Sequence, residues 1–214
     1  MSDHTPISVL CYGDSNTYGY HPVTCGRYPR DIRWTGRLQN LLGEDYYVIE
    51  EGCNGRTSTF KEPGAEWKNG LDYLKPCMNS HKPVDILVLM LGTNDLKEYF
   101  HASAKDIAES VEKIVKEANT FSKAKGFETT IILVSPIHVS AEIIFGGFGS
   151  EFAHSAATRS REFSKYYKEV AERNGCVFFD AAKFVEPSKE DSLHMNEEGH
   201  KKFAEALRKV ILGL

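Results

Sequence analysis

The chain has 214 residues, of which 41% are hydrophobic and 26% charged, and its formal net charge is −4. These values are typical of a globular protein, and the slight negative charge argues against nucleic acid or an anionic membrane surface as a partner. The first six residues carry no basic segment followed by an apolar stretch, and every apolar run is strand-sized. We therefore expect one domain over residues 1–214, with no signal peptide and no membrane span.

The five cysteines lie far apart and form no CxxC pair: Cys11, Cys25, Cys53, Cys77 and Cys176. Disulfide-bonded secreted proteins carry an even set of cysteines, whereas an odd and scattered set is typical of a reducing compartment. We therefore expect free thiols and a cytoplasmic location.

Five short apolar runs, rich in Val, Ile and Leu, predict strands that are buried on both faces. They cover residues 7–12, 46–50, 85–91, 129–134 and 176–180. Helical patterns separate and follow these runs, at residues 34–42, 71–78, 104–125, 157–173 and 196–212. The alternation predicts an α/β fold, a three-layer α/β/α sandwich whose five-stranded parallel sheet has the flavodoxin-like order 2-1-3-4-5. Ligands bind such sheets at the carboxyl ends of the strands, so we expect functional residues in the loops that follow them.

Ser15 follows the first predicted strand, within residues 13–17 (GDSNT). Asp, Ser and Asn are common in turns and helix caps, so capping is the simplest interpretation of Ser15 taken alone. The alternative is a nucleophile that a tight strand-to-helix turn exposes at the top of the sheet. Such a serine requires a nearby base.

Two further polar segments follow predicted strands. Residues 92–95 (GTND) are either a capped turn or the source of a neutral amide donor, Asn94, for a developing oxyanion. In residues 52–57 (GCNGRT), the glycines either shape a turn or let a backbone N–H approach a ligand. Arg56 either binds an anion or, more commonly for an arginine, ties down the loop.

Asp191 and His194 lie within residues 191–194 (DSLH), just before the last predicted helix. An aspartate three residues before a histidine can hold the Nδ1–H of the ring, which leaves Nε2 free to face a serine. A metal site made of Asp191, His194 and His200 is the alternative. The chain has no HExxH motif and no further His/Cys cluster to complete such a site, so we expect neither a metal nor an organic cofactor.

Taken in chain order, these segments resemble the sequence blocks of the SGNH hydrolases, also called the GDSL esterase/lipase superfamily. The resemblance matches Ser15, Gly52, Asn94 and His194 to the four residues in the family's name. It spans nearly the whole chain, so residues 1–214 are expected to form one SGNH-hydrolase-like domain.

Asn16 stands where the GDSL motif has Leu, a variation that we expect not to touch the chemistry. Residues 31–36 (DIRWTG), 50–57 (EEGCNGRT) and 90–95 (MLGTND) are similar to the bacterial arylesterase and acyltransferase branch. That branch acts on short acyl esters and often forms homo-oligomers, so the resemblance implies a small ester substrate and a homo-oligomer.

The resemblance implies a serine esterase that hydrolyses short-chain aryl or alkyl esters through an acyl-enzyme on Ser15, and that also transfers acyl groups to alcohols. Ser15, Asp191 and His194 are then the catalytic residues. The backbone N–H groups of Ser15 and Gly52 and the side chain of Asn94 form the oxyanion hole.

Apolar and aromatic residues near these loops are the candidates for the substrate pocket: Tyr18, Tyr99, Phe145, Phe148 and Leu193. Lys97 would meet an acidic substrate, although a solvated lysine is the commoner role.

Three alternatives remain open from the sequence. A carbohydrate O-acetyl esterase would use the same machinery. A non-catalytic flavodoxin-like module would bind a small anion at Ser15 and Arg56. A thiol enzyme would use Cys53, but no positioned base accompanies that cysteine.

Overall fold

The computed structural model describes residues 5–214. Their five strands form a parallel sheet in the order β2-β1-β3-β4-β5. The strands are β1 (Ile7–Gly13), β2 (Tyr46–Gly52), β3 (Ile86–Met90), β4 (Thr130–Ser135) and β5 (Val177–Asp180). The predicted α/β fold and its strand order are confirmed.

The helices are α1 (Ser15–Tyr18), α2 (Trp34–Leu42), α3 (Gly70–His81), α4 (Ala104–Ala124), α5 (His154–Asn174) and α6 (Glu197–Ile211). A capping box of Ser103 and Asp106 fixes the start of α4, and Asn196 caps α6. Helix α5 begins earlier than its predicted start at residue 157, because no capping side chain marks its first turn. Among residues 5–214 we find no helix with the length and apolar character that a bilayer crossing requires.

Helices cover both faces of the sheet. Successive strand residues face opposite sides, so Leu87 packs into the core beneath α3, α4 and α5, whereas Val88 packs into the core beneath α2 and α6. Trp34 of α2 and Phe203 of α6 meet in that second core, with their rings 4.8 Å apart. Both sheet faces are thus sealed, which leaves the carboxyl ends of the strands as the edge where polar loops gather.

Three neighbouring strands end directly before the polar segments singled out in the sequence. β1 ends before Ser15, β2 before residues 53–57 and β3 before Asn94. The parallel register pairs Gly13 with Gly52 and with Met90, so the three strand ends lie side by side. The sheet topology therefore brings segments that are distant in the chain to one place.

Candidate active site

Ser15 is the first residue of α1, in a tight turn after β1. The capping role belongs to Asp14, whose side chain accepts a hydrogen bond from the Asn16 backbone N–H at 3.0 Å. The turn requires glycine at position 13, because a Cβ there would lie 2.1 Å from Oγ1 of Thr17 and 2.8 Å from the Met90 carbonyl oxygen. Ser15 is therefore held at the carboxyl edge of the sheet without being used as a cap.

Ser15, His194 and Asp191 form a hydrogen-bonded chain. Oγ of Ser15 lies 2.8 Å from Nε2 of His194, and Nδ1 of that ring lies 2.6 Å from Oδ2 of Asp191. With Nδ1–H donating to the carboxylate, Nε2 accepts the hydrogen bond of the serine hydroxyl. These contacts have the lengths that a nucleophile, its base and an orienting carboxylate require, and all three side chains are buried.

The Asp191 carboxylate is saturated with hydrogen bonds. Its Oδ1 accepts from Oγ of Ser188 at 2.9 Å and from the backbone N–H groups of Leu193 and His194 at 3.0 and 2.9 Å. Burial raises the pKa of Asp191, but the hydrogen bonds and the charge of His194 outweigh burial and hold that pKa below its ordinary value. Asp191 is therefore ionised at neutral pH and can stabilise a protonated His194 ring.

Asn16 joins the serine turn to the histidine segment. Its Oδ1 accepts a hydrogen bond from the Met195 backbone N–H at 2.9 Å, and its Nδ2 donates to the Leu193 carbonyl oxygen at 3.4 Å. These two residues flank His194 on either side. The amide at position 16 therefore holds the backbone that carries the histidine.

Gly52 ends β2 and Gly55 lies in the loop that follows; of the two glycines, Gly55 faces Ser15. Gly52 is packed against α1, where an added Cβ would lie 2.0 Å from the backbone nitrogen of Tyr18, and it does not line the cavity beside Ser15. Gly55 lines that cavity in a turn with φ of 75°. Within residues 5–214 the backbone N–H groups of Gly55 and Ser15 have no hydrogen-bond acceptor. The match to the family's sequence blocks selected Gly52. Both glycines precede Arg56 in the same segment, and only their packing in the structure distinguishes them.

Asn94 faces the same cavity from the turn after β3. Its Nδ2 donates to the Arg56 carbonyl oxygen at 3.1 Å, which leaves the second amide hydrogen for a ligand. The Arg56 guanidinium is buried and donates to the Gly13 carbonyl oxygen at 3.0 Å and to that of Glu51. Arg56 thus ties the loop to the strand ends and does not line the cavity beside Ser15.

Two buried carboxyl groups support these turns. Burial raises the pKa of Asp14 to about 6, although the Asn16 N–H and the charge of His194 oppose the shift. Burial likewise raises the pKa of Asp95 to about 6, opposed by hydrogen bonds from Ser58. Oδ1 of Asp95 accepts the Ser58 backbone N–H at 2.9 Å, so it fastens the loop after β2 to the turn that carries Asn94.

Ser15 opens into a cavity of about 380 Å³, within the size range of small-molecule sites. The loop after β2 supplies polar residues to its wall, and aromatic residues also line it. Its lining residues are Ser15, Tyr20, Asn54, Gly55, Glu62, Trp67, Lys68, Asn94, Lys97, Phe148, Glu151, Phe152, Leu193 and His194. The rings of Tyr20 and Phe148 lie 4.3 and 5.4 Å from the His194 ring, so they shield the base from water.

Two of the five residues expected in the substrate pocket, Phe148 and Leu193, line this cavity. Tyr18 instead packs under the Arg27 guanidinium, at 4.4 Å, on the far side of α1. Tyr99 packs against Phe100 with the rings tilted by 45°, and Phe145 is 84% exposed; neither belongs to the lining. Proximity in sequence to the site loops did not indicate which way these rings point.

Tyr20, Trp67 and Phe152 line the cavity and were not expected there. Tyr20 follows the single turn of α1, which is too short for a periodic pattern to reveal. Trp67 comes from a long loop after β2 whose path the sequence does not indicate.

Lys97 is 5% exposed and fully paired, with Nζ 3.2 Å from Glu62 and 2.7 Å from Glu151. It is neither a solvated lysine nor a free cation for an acidic substrate. The metal alternative also lacks support, since both ring nitrogens of His194 are engaged and Nδ1 of His200 accepts the Trp34 backbone N–H at 3.2 Å.

The chain is similar in sequence to a known protein family and to a characterised relative. Residues 11–202 match the GDSL-like lipase/acylhydrolase family. The chain is 26% identical to an acetylxylan esterase of Xylanibacter ruminicola over 229 residues, which cover 96% of this chain and 43% of that protein. This chain thus spans less than half the length of that relative.

Solved structures agree over the full length of the fold. Est24, a carbohydrate acetylesterase from Sinorhizobium meliloti, is 32% identical with a TM-score of 0.89, over 97% of this chain and 99% of that one. The native aryl esterase of M. smegmatis is 31% identical with a TM-score of 0.88, again over 97% and 99% of the two chains.

Proposed function

This chain belongs to the GDSL-like lipase/acylhydrolase family of ester hydrolases, and on that premise we propose that it hydrolyses short-chain acyl esters through an acyl-enzyme on Ser15. The observation that carries the proposal is the chain of contacts from Oγ of Ser15 through His194 to Asp191, at 2.8 and 2.6 Å. A serine hydroxyl is a poor nucleophile until a base removes its proton, and this geometry supplies the base.

In the first half-reaction, Nε2 of His194 takes the Ser15 proton as Oγ attacks the ester carbonyl carbon. The tetrahedral intermediate collapses, the bond to the alcohol breaks, and His194 returns the proton to the departing alkoxide oxygen. In the second half-reaction, His194 deprotonates a water molecule that attacks the acyl carbon. The bond to Oγ of Ser15 then breaks, His194 returns the proton to Oγ, and the carboxylic acid leaves. Asp191 stabilises the protonated ring in both halves.

Three hydrogen-bond donors stabilise the oxyanion of the tetrahedral intermediate. We assign them to the backbone N–H groups of Ser15 and Gly55 and to the Nδ2 of Asn94. Gly55 replaces Gly52 in this role because it shares the cavity with the other two donors, whereas Gly52 is packed against α1. Preorganised donors of this kind cost no reorganisation when negative charge develops on the carbonyl oxygen.

An alcohol that takes the place of water in the second half-reaction would yield a new ester. The arylesterase and acyltransferase resemblance motivates this acyl transfer, and the Tyr20 and Phe148 rings beside His194 support it. A site with an apolar wall holds an organic alcohol better than it holds water. The ratio of ester to acid products in mixtures of water and alcohol measures the transfer.

A second candidate function is carbohydrate O-acetyl ester hydrolysis on the same machinery. The indole of Trp67 lines the cavity and is 69% exposed. An indole held open to solvent beside polar groups such as Asn54 and Lys68 can stack on the apolar face of a sugar ring while those groups bond its hydroxyls. The names of the acetylxylan esterase and carbohydrate acetylesterase relatives also point to this class.

The test is a panel of p-nitrophenyl esters of increasing chain length together with acetylated sugars, run on the wild type and on Ser15→Ala. We expect turnover of the short-chain esters to depend on Ser15. A higher kcat/KM for acetylated sugars than for phenyl acetate would favour the second candidate. Turnover that Ser15→Ala retains would contradict both candidates. A wild type that turns over none of these esters would favour the non-catalytic module.

A further inference from the structure

Three metal-ligating side chains meet at the outer edge of the sheet. Glu51 lies near the end of the edge strand β2, and Cys77 and His81 lie one turn apart on α3. The carboxylate, thiol and imidazole ligand atoms all lie within 4.8 Å of one another, and Oε1 of Glu51 is 3.1 Å from Nε2 of His81. None of the three lines the cavity beside Ser15, so the esterase chemistry leaves them unused.

The spacing on α3 is one reason that the three groups converge. Side chains four residues apart on a helix lie on the same face, so Cys77 and His81 point to the same side of α3. That face packs toward β2, where Glu51 is half-buried. Both elements are regular, which fixes the positions of the three ligands more firmly than a loop would.

The chemistry of the three groups selects one class of metal. A thiolate, an imidazole and a carboxylate are the ligands of Zn²⁺, whereas Mg²⁺ and Ca²⁺ prefer oxygen alone. Three protein ligands with water in the fourth position give a tetrahedral site. Zinc bonds of about 2.0–2.3 Å place ligand atoms about 3.5 Å apart, so the present cluster needs a closure of roughly 1 Å.

The charge at this edge also permits a divalent cation. Arg56 is a cation whose charge acts on Cys77, and its guanidinium lies over the rings of Tyr12 and Tyr73. A carboxylate and a thiolate together balance the two positive charges of Zn²⁺, so the occupied site would be neutral. Burial, followed by the charge of Glu51, raises the pKa of the Cys77 thiol to about 12, so the metal must displace a proton that is released to solvent.

We propose that Glu51, Cys77 and His81 form a Zn²⁺ site that clamps the end of β2 to α3. These two elements bracket residues 53–69, from which Asn54, Gly55 and Glu62 face the cavity. Metal binding ties together the two ends of this segment and stabilises the fold against unfolding, because the unfolded chain has no such preformed site.

The test uses full-length protein stripped of metal with a chelator and then titrated with Zn²⁺ alone by calorimetry. Co²⁺ serves as a spectroscopic substitute, because a cobalt–thiolate bond gives a charge-transfer absorption that a carboxylate or an imidazole cannot give. Cys77→Ser and His81→Gln test the ligands. Cys53→Ser is the matched control, because Cys53 is a partly exposed thiol on the adjacent loop. Circular dichroism checks that each variant is folded.

We expect one equivalent of Zn²⁺ to bind and to raise Tm, with affinity at least tenfold weaker in Cys77→Ser and in His81→Gln and unchanged in Cys53→Ser. The cobalt charge-transfer band should appear in the wild type and vanish in Cys77→Ser. The absence of saturable binding, or binding that survives both ligand substitutions, would overturn the proposal. These outcomes do not depend on whether Ser15 is the nucleophile.

Discussion

Oγ of Ser15 and Nε2 of His194 lie 2.8 Å apart although 179 residues separate them in the chain. Two features produce this contact. The parallel sheet places the end of β1 at its carboxyl edge, and Asn16 bonds the backbone on both sides of His194. The amide next to the nucleophile therefore holds the base in place.

Asn16→Leu should lower kcat about tenfold and leave KM nearly unchanged. The substitution removes the acceptor for the buried Met195 N–H and the donor to the Leu193 carbonyl oxygen, each worth about 0.5–1.5 kcal/mol. His194 then loses its fixed distance to Ser15, and a loss of about 1.4 kcal/mol is tenfold in rate. Steady-state kinetics on p-nitrophenyl acetate give the result.

A matched control for Asn16 is Asn54→Ala, which removes an amide of the same size from the cavity wall without touching the histidine segment. It should change KM more than kcat. An Asn16→Leu variant with a wild-type kcat would show that the hydrogen bonds to Leu193 and Met195 do not position His194.

Asn94→Ala should lower kcat by about 10²–10³, the usual loss for one oxyanion donor. Its amide has a hydrogen to spare after donating to the Arg56 carbonyl oxygen, and KM should change little because the donor acts mainly in the transition state. Steady-state kinetics measure kcat, and circular dichroism checks that the variant is folded. If kcat changed less than tenfold, Asn94 would be a turn residue only.

Trp67→Ala should raise KM for an acetylated sugar about tenfold while leaving kcat for p-nitrophenyl acetate near the wild-type value. The indole is exposed and its removal leaves the core intact, so the effect reports on the bound alcohol portion. Trp67→Phe retains a ring and should recover part of the affinity. Equal changes in KM for both substrates would remove the argument for a sugar subsite.

His200 should make the fold less stable as the pH falls. Burial lowers the pKa of His200 to about 3, helped by the charges of Arg37, His194 and Arg33. In the unfolded chain an imidazole takes up a proton near pH 6.5, so between about pH 6.5 and 3 the unfolded state binds more protons and the free energy of unfolding decreases. Urea unfolding at pH 7 and pH 5 measures this loss.

His200→Asn is the control for this pH effect, because an amide oxygen near the Nδ1 position can still accept the Trp34 N–H. Asp14 and Asp95 have the opposite effect, because their pKa values are raised to about 6. As the pH falls from 6 toward 4, these two carboxyl groups increase the free energy of unfolding. The informative quantity is therefore the difference between wild type and variant. We expect the variant to lose less stability from pH 7 to pH 5, and parallel losses would contradict a neutral buried His200.

Much of this molecule can be predicted from the sequence because its strong signals are local. Apolar runs of strand length alternate with helical periodicity, and this alternation led to the sheet order that the structure has. The Asp191 and His194 pair is also local, since three residues separate them. The contact of that pair with Ser15 required the family resemblance, because no local pattern reports a separation of 179 residues.

The sequence was less informative where packing decides. Nothing in the sequence distinguishes the roles of Gly52 and Gly55. Only the close contact between Gly52 and the backbone of α1 shows that Gly52 is required for packing. Tyr18 and Tyr20 are two aromatic residues of one turn, yet the first packs under Arg27 and the second against His194. Side-chain direction in short turns follows from tertiary contacts that no periodicity encodes.

A homo-oligomer and a cytoplasmic location stay predictions. The homo-oligomer comes from the family resemblance and the location from the scattered cysteines. Light scattering on the purified protein and fractionation of cells that express it test the two separately.

The central claim is that Ser15 is a nucleophile activated by His194. Incubation with a fluorophosphonate probe, followed by peptide mass mapping, tests it most directly, because such probes react with activated serines and not with serines that merely bind or cap. We predict one adduct, on the peptide that contains Ser15, formed far more slowly in His194→Ala. An adduct on another residue, or none in protein that turns over esters, would contradict the account.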